Sequence, residues 1–295
     1  LEQDDKMQFP ELEYYVPYDK IKLKSNTSMA YTDTGAGEEV LLFIHGLASY
    51  LPSWKKLIPL LSSRFRCIAI DLPGYGKSQC GVNPGTMSYY SDVVFEFIET
   101  MNLKSVYLAG HSMGGQVSIT TALRHPGFFK GLILLAPAGI EVFEEWEKNF
   151  IIVTYDDELV CSGSDDLISR NMQFNFFSMP EDARFLTEDG IKMKEFKNFE
   201  SYREVIKNNV RAMLEEPVAG RLSEIKIPVQ IIFGKSDMLI PNMYLHKKMS
   251  AEGLISFAIN KIPHAKAEII PACGHYIQLE KPVEAAGIIK KFLLH

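Results

Sequence analysis

The chain has 295 residues, 46% hydrophobic and 23% charged, an ordinary globular mixture that excludes a disordered or fibrous polymer. At this length folding buries roughly three quarters of the surface an unfolded chain exposes, so neither disulfides nor a metal are needed to hold a core. The formal charge of −6 at pH 7 argues against a nucleic-acid footprint, which favours a basic patch.

Leu1 to Pro10 is polar and reads as loosely held. Ile21–Lys24 alternates apolar and polar residues, Ser25-Asn26-Thr27 is turn-prone and Met29-Ala30-Tyr31 resumes a short run, which predicts an antiparallel hairpin at a sheet edge. Val40–Ile44 is continuously apolar, the mark of a strand covered on both faces. Ser53–Phe65 carries Trp54, Leu57, Ile58 and Leu61 at helical spacing, and Cys67–Ile70 is the next strand. A helix over Met87–Met101, a strand at Val106–Ala109, a helix over Gly115–Arg124 and a strand at Leu132–Ala136 follow. Strands alternating with helices predict a mostly parallel sheet with helices on both faces.

The rhythm breaks after Pro137. The segment to Pro217 is rich in Glu, Asn, Phe and Met, and reads as helices at Phe143–Phe150, Asp166–Phe176 and Tyr202–Leu214. It is expected to be a helical lid, residues 137–217, inserted into a core made of residues 1–136 and 218–295. The α/β pattern returns with a strand at Val229–Phe233, a helix at Asn242–Met249, a strand at Ala267–Ile270 and a helix at Pro282–Leu294.

Cys67, Cys80, Cys161 and Cys273 are scattered, with no C-x-x-C pair; Cys67 reads as core, and pairing among the others stays open. The longest apolar runs are too short to span a bilayer. No hydrophobic signal segment stands at the start, so a cytoplasmic location is expected, or a secreted or periplasmic one if a leader once preceded Leu1. Oligomeric state has no signature in the sequence.

Gly110-His111-Ser112-Met113-Gly114 fits G-x-S-x-G. The pentapeptide alone also describes a tight turn with a capping serine. Here a strand precedes it and a helix opens after it, the setting in which such a serine is exposed at a strand tip as a nucleophile. A serine hydroxyl needs a base. Of seven histidines, His111 lies in the turn and is expected to point away from the reacting face. His125 ends a helix, His246 falls in an expected surface helix, His264 precedes the last strand and His295 is terminal. His275 stands in the loop after the last strand, behind Gly274, where ligands collect at the carboxyl ends of strands. The acid that orients it is expected at Asp237, just past Val229–Phe233. The rival position after Leu132–Ala136 holds no carboxylate until Glu141.

An oxyanion needs two preorganised N–H donors. The amides of Met113, after the serine, and Leu47, after His45-Gly46, are the candidates; His45 is expected to brace that loop or touch substrate. Gly76-Lys77-Ser78 is not a phosphate loop, because Asp71 stands where the first glycine is required.

Together these pieces resemble the α/β-hydrolase superfamily, and within it the lid-bearing serine hydrolases. They are His45-Gly46-Leu47 with Trp54, Asp71–Ser78, Gly110–Gly115, Gly234-Lys235-Ser236-Asp237 and Gly274-His275, in family order from about Met29 to the end. The resemblance implies an α/β-hydrolase fold of about eight strands with a helical lid, a Ser112–Asp237–His275 triad and no metal or organic cofactor. It implies an acyl ester as small-molecule substrate. The same triad in relatives also hydrolyses carbon–carbon bonds of diketones or makes peracids, and some relatives are slow receptors for small molecules. In the diketone hydrolases an asparagine often replaces His111, which favours esters. Phe174, Phe176, Phe177 and Met179 are candidates to line an acyl pocket, or simply pack the lid.

Overall fold

The computed structural model describes residues 12–14, 16–79, 83–156, 163–196 and 198–294. Leu1–Pro10, Cys80 and Cys161 lie outside them. Strands β1 (Asp19–Lys22), β2 (Ser28–Asp33), β3 (Val40–Ile44), β4 (Arg66–Ile70), β5 (Val106–His111), β6 (Gly131–Leu135), β7 (Val229–Gly234) and β8 (Ala265–Ile270) form one sheet in the order β1-β2-β4-β3-β5-β6-β7-β8. Only β2 runs against its neighbours. The expected hairpin is therefore present, at one edge.

Helices α1 (Ile58–Leu61), α2 (Met87–Thr100), α3 (Met113–Arg124), α4 (Glu145–Asp156), α5 (Asp165–Gln173), α6 (Phe185–Lys192), α7 (Phe199–Glu215), α8 (Ala251–Lys261), α9 (Ile277–Glu280) and α10 (Pro282–Leu293) surround it. Every residue of β3 and β6 is buried, as continuous apolar runs require when helices cover both faces. α2 packs on α3, and α1 packs on α10. The α2 helix buries Met87, Tyr90, Val93, Val94, Phe97 and Ile98, and the Thr86 hydroxyl accepts from the Tyr89 amide at its start. Spacings of three and four put that set on one stripe, and the cap satisfies an otherwise orphaned N–H.

Between β6 and β7 no described residue joins the sheet, and α4 to α7 stand there. The α7 helix is bound to the core through buried Asn209, whose Oδ1 accepts from the Tyr75 hydroxyl at 2.6 Å and whose Nδ2 donates to Gly85 O at 2.8 Å. Among the described residues no helix is long and apolar enough to cross a membrane. Cys67 and Cys273 are buried and free.

Several elements differ from the sequence reading, the short α9 among them. Ser53–Phe65 is no single helix: a 3-10 turn at Leu51–Trp54 is followed by the short α1, with Pro52 and Pro59 near their starts. Proline suits the first turn and breaks a helix further in. α6 was not expected, and its Thr187 and Gly190 explain the weak signal. The helix expected at Asn242–Met249 is a run of turns, and the helix lies at α8. Asn242 Oδ1 accepts from the Tyr244 and Leu245 amides, and the Ser250 hydroxyl from Gly253, so local side-chain bonds move the helix start downstream.

Candidate active site

Ser112 joins β5 to α3 with φ 54° and ψ −119°, a conformation that costs an L-residue of order 1–3 kcal/mol and persists only where the surroundings impose it. They do. The Ser112 amide donates to Leu135 O at 3.0 Å, and its carbonyl accepts from Gly115 at 2.9 Å and Ala138 at 3.0 Å. A Cβ on Gly114 would overlap the carbonyl oxygens of Ile44 and His45, and one on Gly110 would overlap Gly114. Glycine is required here for close approach of backbone to backbone.

The His45-Gly46-Leu47 loop closes over the same point. A Cβ placed on Gly46 would stand 3.0 Å from Ser112 Cβ. His45 is fully buried; its Nδ1 donates to Gly46 O at 2.8 Å and its Nε2 accepts from Leu72 N at 3.0 Å. Burial holds this imidazole at a pKa of about 4, against the Gly46 bond. It is therefore neutral, and both ring nitrogens are committed to backbone. His45 braces the loop and has no nitrogen left for a ligand, which corrects its assignment as a substrate contact. Neither Leu47 N nor Met113 N donates to a protein acceptor among the described residues; Met113 opens α3, where the first amides have no intrahelical partner.

His275 lies after β8 and is buried. Its Nδ1 lies 2.8 Å from Asp237 Oδ2, while Asp237 Oδ1 accepts from the amides of Leu239 at 2.8 Å and Ile240 at 3.1 Å. Nδ1 is thus the donor to the carboxylate, which leaves Nε2 as the basic nitrogen of the neutral ring. No hydrogen bond joins the Ser112 hydroxyl to His275 among the described residues. The two loops meet instead through His111, whose Nε2 donates to the His275 carbonyl at 3.0 Å with the rings 4.7 Å apart. His111 does not point away. Burial and the nearby His275 hold it neutral, well below the ordinary histidine range.

Phe174 and Phe177 are 44% and 58% exposed. Phe177 lines a cavity of about 440 Å³ with Gln173, Phe176, Met179 and Arg184; Phe174 does not, nor do Ser112, Asp237 or His275. The cavity borders the His275 loop through Phe176, which stacks on Tyr276 with centroids 5.2 Å apart, and through the backbone of Phe177 against Gly274.

Sequence reasoning missed the contacts made to the His275 backbone. The His275 amide donates to Asn175 O at 2.7 Å, from the segment after α5. It also missed His246, which sits between buried Glu141 and Glu147 rather than on a surface helix. Burial lowers its pKa, but the hydrogen bonds and charges of Glu141 and Glu147 overcome that and hold it above the ordinary value. Glu141, the carboxylate nearest the rival acid position, is thereby committed to His246 and the Asn242 amide.

A sheet order with one reversed strand next to the edge, a serine strained at a strand tip and a carboxylate–imidazole pair at the ends of β7 and β8 define one class of fold. The α/β-hydrolase fold family model matches residues 39–282, and the chain belongs to that family and is a hydrolase. It is 27% identical over 273 residues to a 2-hydroxy-6-oxononadienedioate/2-hydroxy-6-oxononatrienedioate hydrolase of Cupriavidus pinatubonensis, covering 88% of this chain and 89% of that one. It is 24% identical over 287 residues to monoacylglycerol lipase abhd6-B of Xenopus laevis, covering 91% and 80%. An esterase from Exiguobacterium antarcticum superposes with a TM-score of 0.74 at 18% identity, covering 94% of this chain and 99% of that one, a likeness of fold.

Proposed function

We propose that the protein hydrolyses carboxylic esters through an acyl-enzyme on Ser112. The observation that carries the reading is the 2.8 Å bond from His275 to buried Asp237, at the rim that also holds the strained serine. Ser112 Oγ attacks the acyl carbonyl as His275 Nε2 takes its proton. Asp237 holds the ring tautomer and stabilises the imidazolium. The free amides of Leu47 and Met113 bind the oxyanion that forms. His275 then protonates the departing alkoxide, which leaves as alcohol. It next takes a proton from water, whose hydroxide attacks the acyl carbon, and returns that proton to Ser112 as the acid leaves. In this reading residues 137–217 act as a lid, and the apolar side chains at their inner edge receive the acyl chain.

The relatives named as dienedioate hydrolases favour a second reading, in which the same serine cleaves a carbon–carbon bond next to a ketone. A series of p-nitrophenyl esters of rising chain length, assayed beside a vinylogous diketone, separates the two. Ester turnover at least tenfold above diketone turnover in kcat/KM is expected; the reverse order would replace the first reading with the second. Mass spectrometry after a fluorophosphonate probe should find the adduct on Ser112.

A further inference from the structure

Glu280 ends α9, five residues beyond His275. Its carboxylate gathers three backbone amides from two separate stretches of chain. Oε2 accepts from Gly274 at 2.7 Å and from Phe177 at 3.2 Å, and Oε1 accepts from Ser178 at 2.6 Å. Gly274 precedes the histidine, whereas Phe177 and Ser178 belong to the segment that follows α5. The same two stretches meet again beside the carboxylate. Asn175 O accepts from His275 at 2.7 Å and from Tyr276 at 3.3 Å, and Phe176 stacks on Tyr276. The fit is close: a Cβ on Gly274 would stand 2.6 Å from Asn175 O and 2.7 Å from Phe176 Cα.

From these contacts we infer that Glu280 is a positioning residue, which clamps segment 175–178 of the helical insertion onto the His275 loop and so sets where the imidazole stands. The inference rests on the serine-nucleophile reading above. The His275 side chain is held by Asp237, its carbonyl by His111 and its amide by Asn175. The third hold belongs to the insertion, and Glu280 is the group that fastens it. A carboxylate suits this place, since both of its oxygens face N–H donors. It offers two oxygens that both accept, while an amide turns one of the two positions into a donor facing an N–H. Hydrogen bonds to a charged acceptor are the stronger kind, and a base displaced by about 1 Å loses up to about a hundredfold in rate.

The test uses the full chain with p-nitrophenyl butyrate as substrate, and compares wild type, Glu280→Gln and Ser178→Pro. Proline removes the shortest of the three donors and leaves the carboxylate in place. In both variants kcat should fall about tenfold or more, with KM within about twofold. Amide exchange should quicken in peptides covering 174–179 and 272–276 and stay unchanged in β5 and β6. A wild-type kcat in Glu280→Gln, or wild-type exchange in those two peptides, overturns the inference. If Glu280→Gln unfolds, Ser178→Pro decides by the same readings. Failure of the serine reading shows separately, as wild type that fluorophosphonate does not label at Ser112, and it removes the inference as well.

Discussion

The two halves of the site are held in different ways. At Ser112 the chain is fixed by backbone alone: its peptide groups bond to Leu135, Gly115 and Ala138, and backbone packs against backbone at Gly110 and Gly114 between β3, β5 and β6. At His275 it is fixed by polar tethers, from Asp237, His111 and Asn175, each from a different element. Shape at a sheet centre resists local opening, because opening it costs close-packed contacts. Separate polar tethers on a loop can be broken one at a time, and such a loop opens more easily. Damage to the first half should appear as lost fold, and damage to the second as lost activity in a folded protein.

The largest effect tests the chemistry common to both. Ser112→Ala should lower ester turnover about a millionfold and Asp237→Asn about ten-thousandfold, both with native circular dichroism. A folded Ser112→Ala with more than a tenth of wild-type activity would end the triad assignment. Gly114→Ala should instead cost about 3 kcal/mol in denaturant unfolding, since its Cβ meets two carbonyl oxygens of the neighbouring strand end. A stable but inactive Gly114→Ala would erase the distinction between the two halves.

A smaller effect lies at His246. Its folded pKa is raised above its unfolded value by Glu141 and Glu147, against burial. The stabilisation is therefore complete below about pH 6.5, the ordinary histidine value, and is lost as pH rises through the folded value. The gap in melting temperature between wild type and His246→Gln should be wider at pH 6 than at pH 9. An equal gap at both would mean that the ring contributes by packing on Phe143 rather than by charge.

This contrast also explains what the sequence disclosed. The strand–turn–helix around Ser112 is written in consecutive residues, so its apolar run and two glycines disclose it, although the Ile44, His45 and Leu135 carbonyls that hold the turn lie far off in the chain. Asp237 and His275 were legible because each follows an apolar run closely, at a strand's carboxyl end. The holds on the His275 backbone were not, because Asn175 and His111 are 100 and 164 residues away and peptide groups carry no residue signature. Glu280 is near in sequence, but a carboxylate at a helix end reads as surface. The turns at Asn242–Met249 misled for a related reason: the helix expected there was outweighed by an Asx turn and by the ties of His246 to Glu141 and Glu147.

The backbone at Ser112 has one more consequence. Its positive φ penalises any residue that carries a Cβ, so the position ranks substitutions in reverse of most sites. Ser112→Gly should melt higher than Ser112→Ala, by about 1 kcal/mol, although glycine ordinarily gives the weaker protein. In the proposed acyl-transfer reading, the molecule keeps a less comfortable residue there for the sake of one oxygen atom. Under the proposed mechanism, a tougher, inert version of the fold is a single codon away.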